Sequence, residues 1–133
     1  MSTFAEKIMI GAKGFAALSL LTVLALGAAS AAEAAGAIAI GECTRYGWSK
    51  GQPSVDRARE VAMQYCSEKG DTSCHVIAAF VGGCAALAID GDCGARGWAT
   101  ATTRDAAEET ARSYCTQYGG TNCTVRRLVC DEG

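Results

Sequence analysis

One histidine, His75, stands in the whole sequence, and the eight cysteines include no Cys-x-x-Cys pair. Those shortages exclude thioredoxin-like redox chemistry and zinc ribbons, which need that spacing. Cys74-His75 matches the tail of a c-type haem attachment motif, but the cysteine required at position 71 is Asp71. The lone histidine, next to a cysteine expected to be bonded, therefore reads as structural. There is no Gly-x-Ser-x-Gly elbow and no phosphate-binding loop. Asp90-Gly-Asp92 opens like a calcium loop, yet later ligand positions hold Gly94, Ala95 and Ala101, which fits a hairpin turn instead. Asp56, Glu60, Asp105, Glu108 and Glu109 fall on first turns and outer faces of expected helices. There carboxylates cap and solvate rather than face each other across a cleft, as glycosidase pairs do. The sequence thus offers no catalytic, metal-ligating or cofactor-binding set.

An excess of positive charge is also missing. The N-terminus has a basic start with Lys7 and Lys13, then 19 uncharged residues from Gly14 to Ala32, densest in apolar residues over 15–26. Small residues follow, with Ala-x-Ala exits at Ala29-Ser30-Ala31 and Ala32-Glu33-Ala34. The pattern predicts a signal peptide over residues 1–32, cut between 31 and 35. The run approaches the ~20 residues of a membrane span, but its alanine-rich second half is weakly hydrophobic. No cysteine directly follows the run, as a lipoprotein would need, and no twin arginine precedes it. Without Lys7, Lys13 and Glu6 the rest carries 10 basic and 13 acidic residues, a net charge of −3. That gives no electrostatic case for a nucleic-acid partner, or for a membrane partner after cleavage.

What is present is a duplication. Ala58, Ala62, Tyr65, Cys66, Gly70, Thr72 and Cys74 return as Ala107, Ala111, Tyr114, Cys115, Gly119, Thr121 and Cys123, all at an offset of 49. Gly47-Trp48 returns as Gly97-Trp98 at an offset of 50. Residues 36–133 read as a single duplicated domain, with repeat one over 36–84 and repeat two over 85–130. Each repeat reads strand-strand-helix-strand, an α+β fold with two helices packed on β-sheet. In repeat one, Ala37–Ile40 and Tyr46–Ser49 are strands, and Gly51-Gln52-Pro53 breaks the second. Ser54 caps a helix that Gly70 ends, and 74–81 is a third strand. In repeat two, Ala86–Ile89, Gly97-Trp98 and 123–130 take the strand roles, and Thr103 and Gly119 the caps. Ala58, Val61, Ala62, Tyr65 and Cys66 form an apolar stripe at helical spacing. The alanines allow close approach to the sheet, and Tyr65 and Tyr114 are expected to supply most of the buried area. On that reading Tyr114→Ala costs roughly 3–5 kcal/mol.

Eight cysteines in an exported chain of this size read as a disulfide framework. A small core has little margin of its own. Cys66 in the last helical turn lies within reach of Cys74 at the start of the next strand, and Cys115–Cys123 repeats the arrangement. Each loop of nine residues contributes about 2.6 kcal/mol on the chain-entropy relation. Cys43, Cys84, Cys93 and Cys130 remain. If each strand-helix-strand crossover is parallel, Cys84 lies at the far end of its unit from Cys43. Pairing between units as Cys84–Cys130 and Cys43–Cys93 then suits a pseudo-twofold arrangement, with Cys43–Cys84 disfavoured but still open.

Over Gly36–Ile40, Gly47-Trp48, the Ala58–Cys74 unit, Cys84–Ala88 and the second Gly97-Trp98 unit, the chain resembles a secreted bacterial family known as domain of unknown function 4189. The resemblance covers nearly all of the expected exported part. It implies export and a compact domain and supplies no catalytic residues. Cys43 and Cys93 look like additions to the family's usual cysteines.

Three functions fit these observations. The first is a non-enzymatic exported module, periplasmic or secreted, that binds or inhibits an unidentified protein or envelope component. Trp48, Trp98, Arg126 and Arg127 are its candidate surface, since the tryptophans recur and the arginines replace Ile77-Ala78 of the other repeat. Buried packing of the tryptophans and a charged, solvated edge are the competing readings of those residues. The second function is a structural extracytoplasmic spacer. The third is a small cell-wall hydrolase working through Asp90 or Asp92.

Overall fold

The computed structural model describes residues 34–68 and 70–131. The expected signal peptide lies outside them. The elements run β1 Ala35–Ile40, β2 Tyr46–Gln52, α1 Val55–Ser67, β3 His75–Val81, β4 Cys84–Asp90, β5 Arg96–Ala101, α2 Arg104–Gln117 and β6 Cys123–Cys130. This is the α+β, twice-repeated strand-strand-helix-strand order. Ser54 accepts from the Arg57 amide and Thr103 from the Ala106 amide, so both caps form. Gly70 and Gly119 have φ of 82° and 98°, the left-handed turn that ends each helix.

The six strands form two three-stranded sheets, ordered β2-β1-β3 and β5-β4-β6, with every pairing antiparallel. The outer strands of each sheet therefore run parallel to each other, and each helix is the crossover between them. The central strands explain the layering. Alternate residues of a strand point to opposite faces. In β1, Ala35, Ala37 and Ala39 pack with Ala58, Ala62 and Cys66 of α1. Ile38 and Ile40 point the other way and pack with Ala85, Leu87 and Ile89 of β4, joined by Ala78, Phe80 and Val129. On the far side of β4, Ala86 and Ala88 pack with Ala107, Ala111 and Cys115 of α2. The result is four layers: α1, sheet one, sheet two, α2. Small residues line the helix-facing sides, and large aliphatic ones fill the space between the sheets. Each Ile or Leu buried there contributes about 1.5–3 kcal/mol.

The close helix seats depend on Gly47 and Gly97. A Cβ on Gly47 would run into the Ala62 carbonyl and the Cys66 amide of α1. One on Gly97 would strike the Ala111 carbonyl and the Cys115 amide of α2. Ser49, also buried against α1, donates to the Ala58 carbonyl at 2.7 Å.

The expectations for the two tyrosines and for Cys84 need correction. Tyr65 and Tyr114 are 55% and 43% exposed, so they do not supply the buried area under the helices. They lie at the margin of the stripe, whose centre is the alanine-cysteine line. Also, Cys84 does not close repeat one. It is the first residue of β4 and sits directly opposite Cys130 of β6. The Gly82-Gly83 turn divides the repeats, so Cys84–Cys130 is a bond inside repeat two. Its counterpart in repeat one is the unbonded pair Ala35 and Val81. The four disulfides are Cys43–Cys93, Cys66–Cys74, Cys84–Cys130 and Cys115–Cys123. Of these, Cys43–Cys93 alone crosses between the repeats.

The changing offset between repeats has a structural cause. On the β1 ladder, the three residues from Ala35 to Ala37 face the four from Ser49 to Gln52, a bulge at Lys50-Gly51. The β4–β5 ladder has no such shift. Repeat one thus spends one extra residue between Trp48 and its helix cap. β2 also runs through Gly51 and Gln52, where a break was expected, because Gly51 takes a φ of 66°.

Candidate binding groove

At one end of the domain the β1–β2 turn of repeat one meets the loop after α1. Asp71, buried in that loop, reaches back to the turn: its Oδ2 accepts from the Glu42 amide at 3.0 Å. Its Oδ1 accepts from the Ser73 amide at 2.8 Å and the Ser73 hydroxyl at 2.6 Å. The Ser73 hydroxyl, then the two amides and the positive charge of Arg45, hold the Asp71 carboxyl below the usual aspartate range, against the opposing effect of burial. Repeat two makes the same bridge from the other side. Asp90, in the turn, accepts from the Thr121 and Asn122 amides at 3.3 and 3.2 Å. The offset of 49 aligns Gly41 with Asp90 and Asp71 with Gly120, so the acid and the glycine have changed places. The Asp90 carboxylate is thereby occupied by backbone donors.

The four candidate surface residues part company. Trp48 and Arg127 come together: the guanidinium lies 4.9 Å from the Trp48 ring centroid and 5.6 Å from that of Tyr46. Tyr46 also donates to the Arg126 carbonyl at 3.3 Å. This stack ties β2 of one sheet to β6 of the other, and Arg127 Nε is buried without a protein acceptor. The Arg126 guanidinium turns back to its own repeat, donating to the Gly91 carbonyl at 2.6 Å and the Thr124 hydroxyl at 3.1 Å. Trp98 stands apart on β5, 36% exposed.

A groove of about 440 Å³ runs along the outer edge of β2 beneath α1. Its floor is Tyr46 to Lys50, and its wall is Val61, Tyr65 and Glu68 of α1. Tyr65 also borders a neighbouring hollow lined by Thr44 and Arg45. The groove combines an exposed aromatic ring, apolar walls and charges of both signs. Such a site is suited to holding an extended polar chain against an aromatic face. Sequence reasoning picked out Trp48 but missed Lys50, Tyr65 and Glu68. The available signal was the position of Tyr65 some 60° from the centre of the buried stripe, estimated at 100° per residue.

The family description Domain of unknown function (DUF4189) matches residues 35–130. The chain belongs to this family. The match spans all six strands and both helices of this DUF4189 domain. No curated protein and no solved structure matches the chain. Among the described residues of the DUF4189 domain, no three His, Cys, Asp or Glu side chains converge to hold a metal ion. No described helix is long and apolar enough to cross a membrane.

Proposed function

We propose that the protein is an exported, non-enzymatic module, periplasmic or secreted, that binds or inhibits a protein or envelope component through the β2–α1 groove. One observation carries the reading: Tyr65, retained as Tyr114 in the duplicate, is left more than half exposed over a groove instead of being buried. The disulfide framework supports a rigid site outside the cytoplasm. Rigid aromatic groups beside polar ones are the usual anchors of recognition surfaces.

The test is crosslinking in the native envelope, with identification of the captured partner. Tyr65→Ala and the charge reversal Lys50→Glu should each remove most of the capture while the melting temperature stays within a few degrees. Capture that persists in both variants would show that the groove is not the contact surface.

A further inference from the structure

Three of the four outer strands carry a bulge: β2 at Lys50-Gly51, β3 at Ile77 and β6 at Arg126. Bulges and edge charges keep a free strand from pairing with another chain. The fourth, β5, has an unbroken register with β4 and no charge from Gly97 to Ala101. The helix above it is divided in the same way. At 3.6 residues per turn, Arg104, Asp105, Glu108, Glu109 and Arg112 fall on one side of the buried Ala107–Ala111–Cys115 line. Thr103, Ala106, Thr110, Tyr114 and Gln117 fall on the other. Tyr114 and Tyr118 line a hollow of about 300 Å³ with Gly97 and Trp98, which places the uncharged flank of α2 along the β5 edge. Tyr118 is 74% exposed there. In repeat one the equivalent border is charged: Arg57 stands where Ala106 does, Glu68 where Gln117 does, and Lys50 sits in the bulge.

We infer that the β5 edge and the uncharged flank of α2 form the interface of a two-fold dimer of this chain. A free polypeptide strand would satisfy β5 and leave the helix flank open. A second copy brings both a strand and a helix, in the arrangement needed to cover both layers. A two-fold axis perpendicular to the sheet joins β5 to β5 antiparallel, giving one six-stranded sheet with both α2 helices on the same face. Gly97, Ala99 and Ala101 then meet their like on the helix face, and Trp98 and Thr100 meet on the other, where aromatic cross-strand pairs stabilise. The two α2 flanks, both uncharged, lie side by side at ordinary helix-packing distance. No like charges oppose each other across the seam.

Sedimentation equilibrium of the oxidised protein over about 1–100 μM tests this. The expected result is a two-chain mass at the upper end. Thr100→Lys and Thr110→Lys, both at exposed positions, should each weaken the dimer about tenfold or more by setting like charges across the axis. Their melting temperatures in dilute solution should match the parent. Glu109→Lys, on the charged flank, should leave the dimer constant unchanged. A one-chain mass throughout, or a dimer indifferent to both lysine variants, overturns the inference and leaves the β2–α1 groove reading intact.

Discussion

The two repeats solve one problem at the turn end with the same parts in opposite hands. In repeat one the loop supplies the acid and the turn supplies the glycine: Asp71 against Gly41. In repeat two the turn supplies the acid, and Asp90 accepts from the Thr121 and Asn122 amides that follow the loop's Gly120. At the closest point of the helix seats the repeats coincide, since Gly47 and Gly97 meet the same pair of helix backbone groups, and repeat one adds only the Ser49 hydrogen bond to α1. Contact between two backbones allows one answer, a residue without a Cβ. A hydrogen-bonded bridge allows two, because a carboxylate reaches across the gap equally well from either bank.

The largest effect should come at the glycines. Gly47→Ala and Gly97→Ala should each destabilise the protein by about 3 kcal/mol, as overpacking against a backbone that cannot yield. Chemical denaturation measures this. A repeat that accepted its alanine without loss would show that its helix is seated less closely than its twin.

The acid bridge should respond less strongly but more distinctively. A Cβ on Gly41 would collide with the Asp71 carboxylate, so Gly41→Asp alone should be worse than Gly41→Asp combined with Asp71→Gly, which imitates repeat two. Thermal melts of the two variants sharpen the comparison, and a double variant no better than the single would break it. Asp71 also predicts a pH dependence. Its carboxyl titrates lower in the folded than in the unfolded chain. Its stabilisation is therefore complete above the unfolded value of about 3.9 and is lost as pH falls through the lower folded value. Asp71→Asn should melt below the parent at neutral pH, and the gap should close as the medium is acidified from about pH 5 to below 3. A gap that stayed constant over that range would remove the ionised bridge.

The smallest effect belongs to the tyrosines. Tyr114→Ala should cost less than about 1.5 kcal/mol, as for a half-exposed side chain, rather than the larger loss expected of a buried one. Comparing its melt with that of Tyr65→Ala tests whether both rings stand outside the core to a similar degree.

The order of elements, both helix caps and both helix-ending glycines were legible in the sequence, because the duplication let each repeat check the other. The second repeat also exposed His75 as unrepeated. The stacking of two sheets was not legible. In Ala35–Ile40 and Ala85–Ile89 both faces are apolar, so a period of two says that the strand alternates but not which face meets a helix. Tyr65 was misplaced because a stripe of helical spacing has no sharp margin. Cys84 was assigned to the wrong repeat because it ends one apolar run and begins another. At the candidate groove, Trp48 stood out by repetition, whereas Lys50 and Glu68 drew no notice because their partners in repeat two are uncharged. The exchange of Gly41 and Asp71 with Asp90 and Gly120 was written in the offset, but a contact was needed to give it meaning.

The space between the sheets has a consequence for the history of the chain. A single repeat cut free would carry Ile38, Ile40, Ala78 and Phe80 on an open sheet face with nothing above it. Such a unit could hide that face only against another like itself. The present molecule is therefore best regarded as a couple joined at Gly82-Gly83, in which covalent linkage fixes the partnership and frees each half to diverge. One half has kept its borders closed, with bulge and charge, and the other has left a door unlocked.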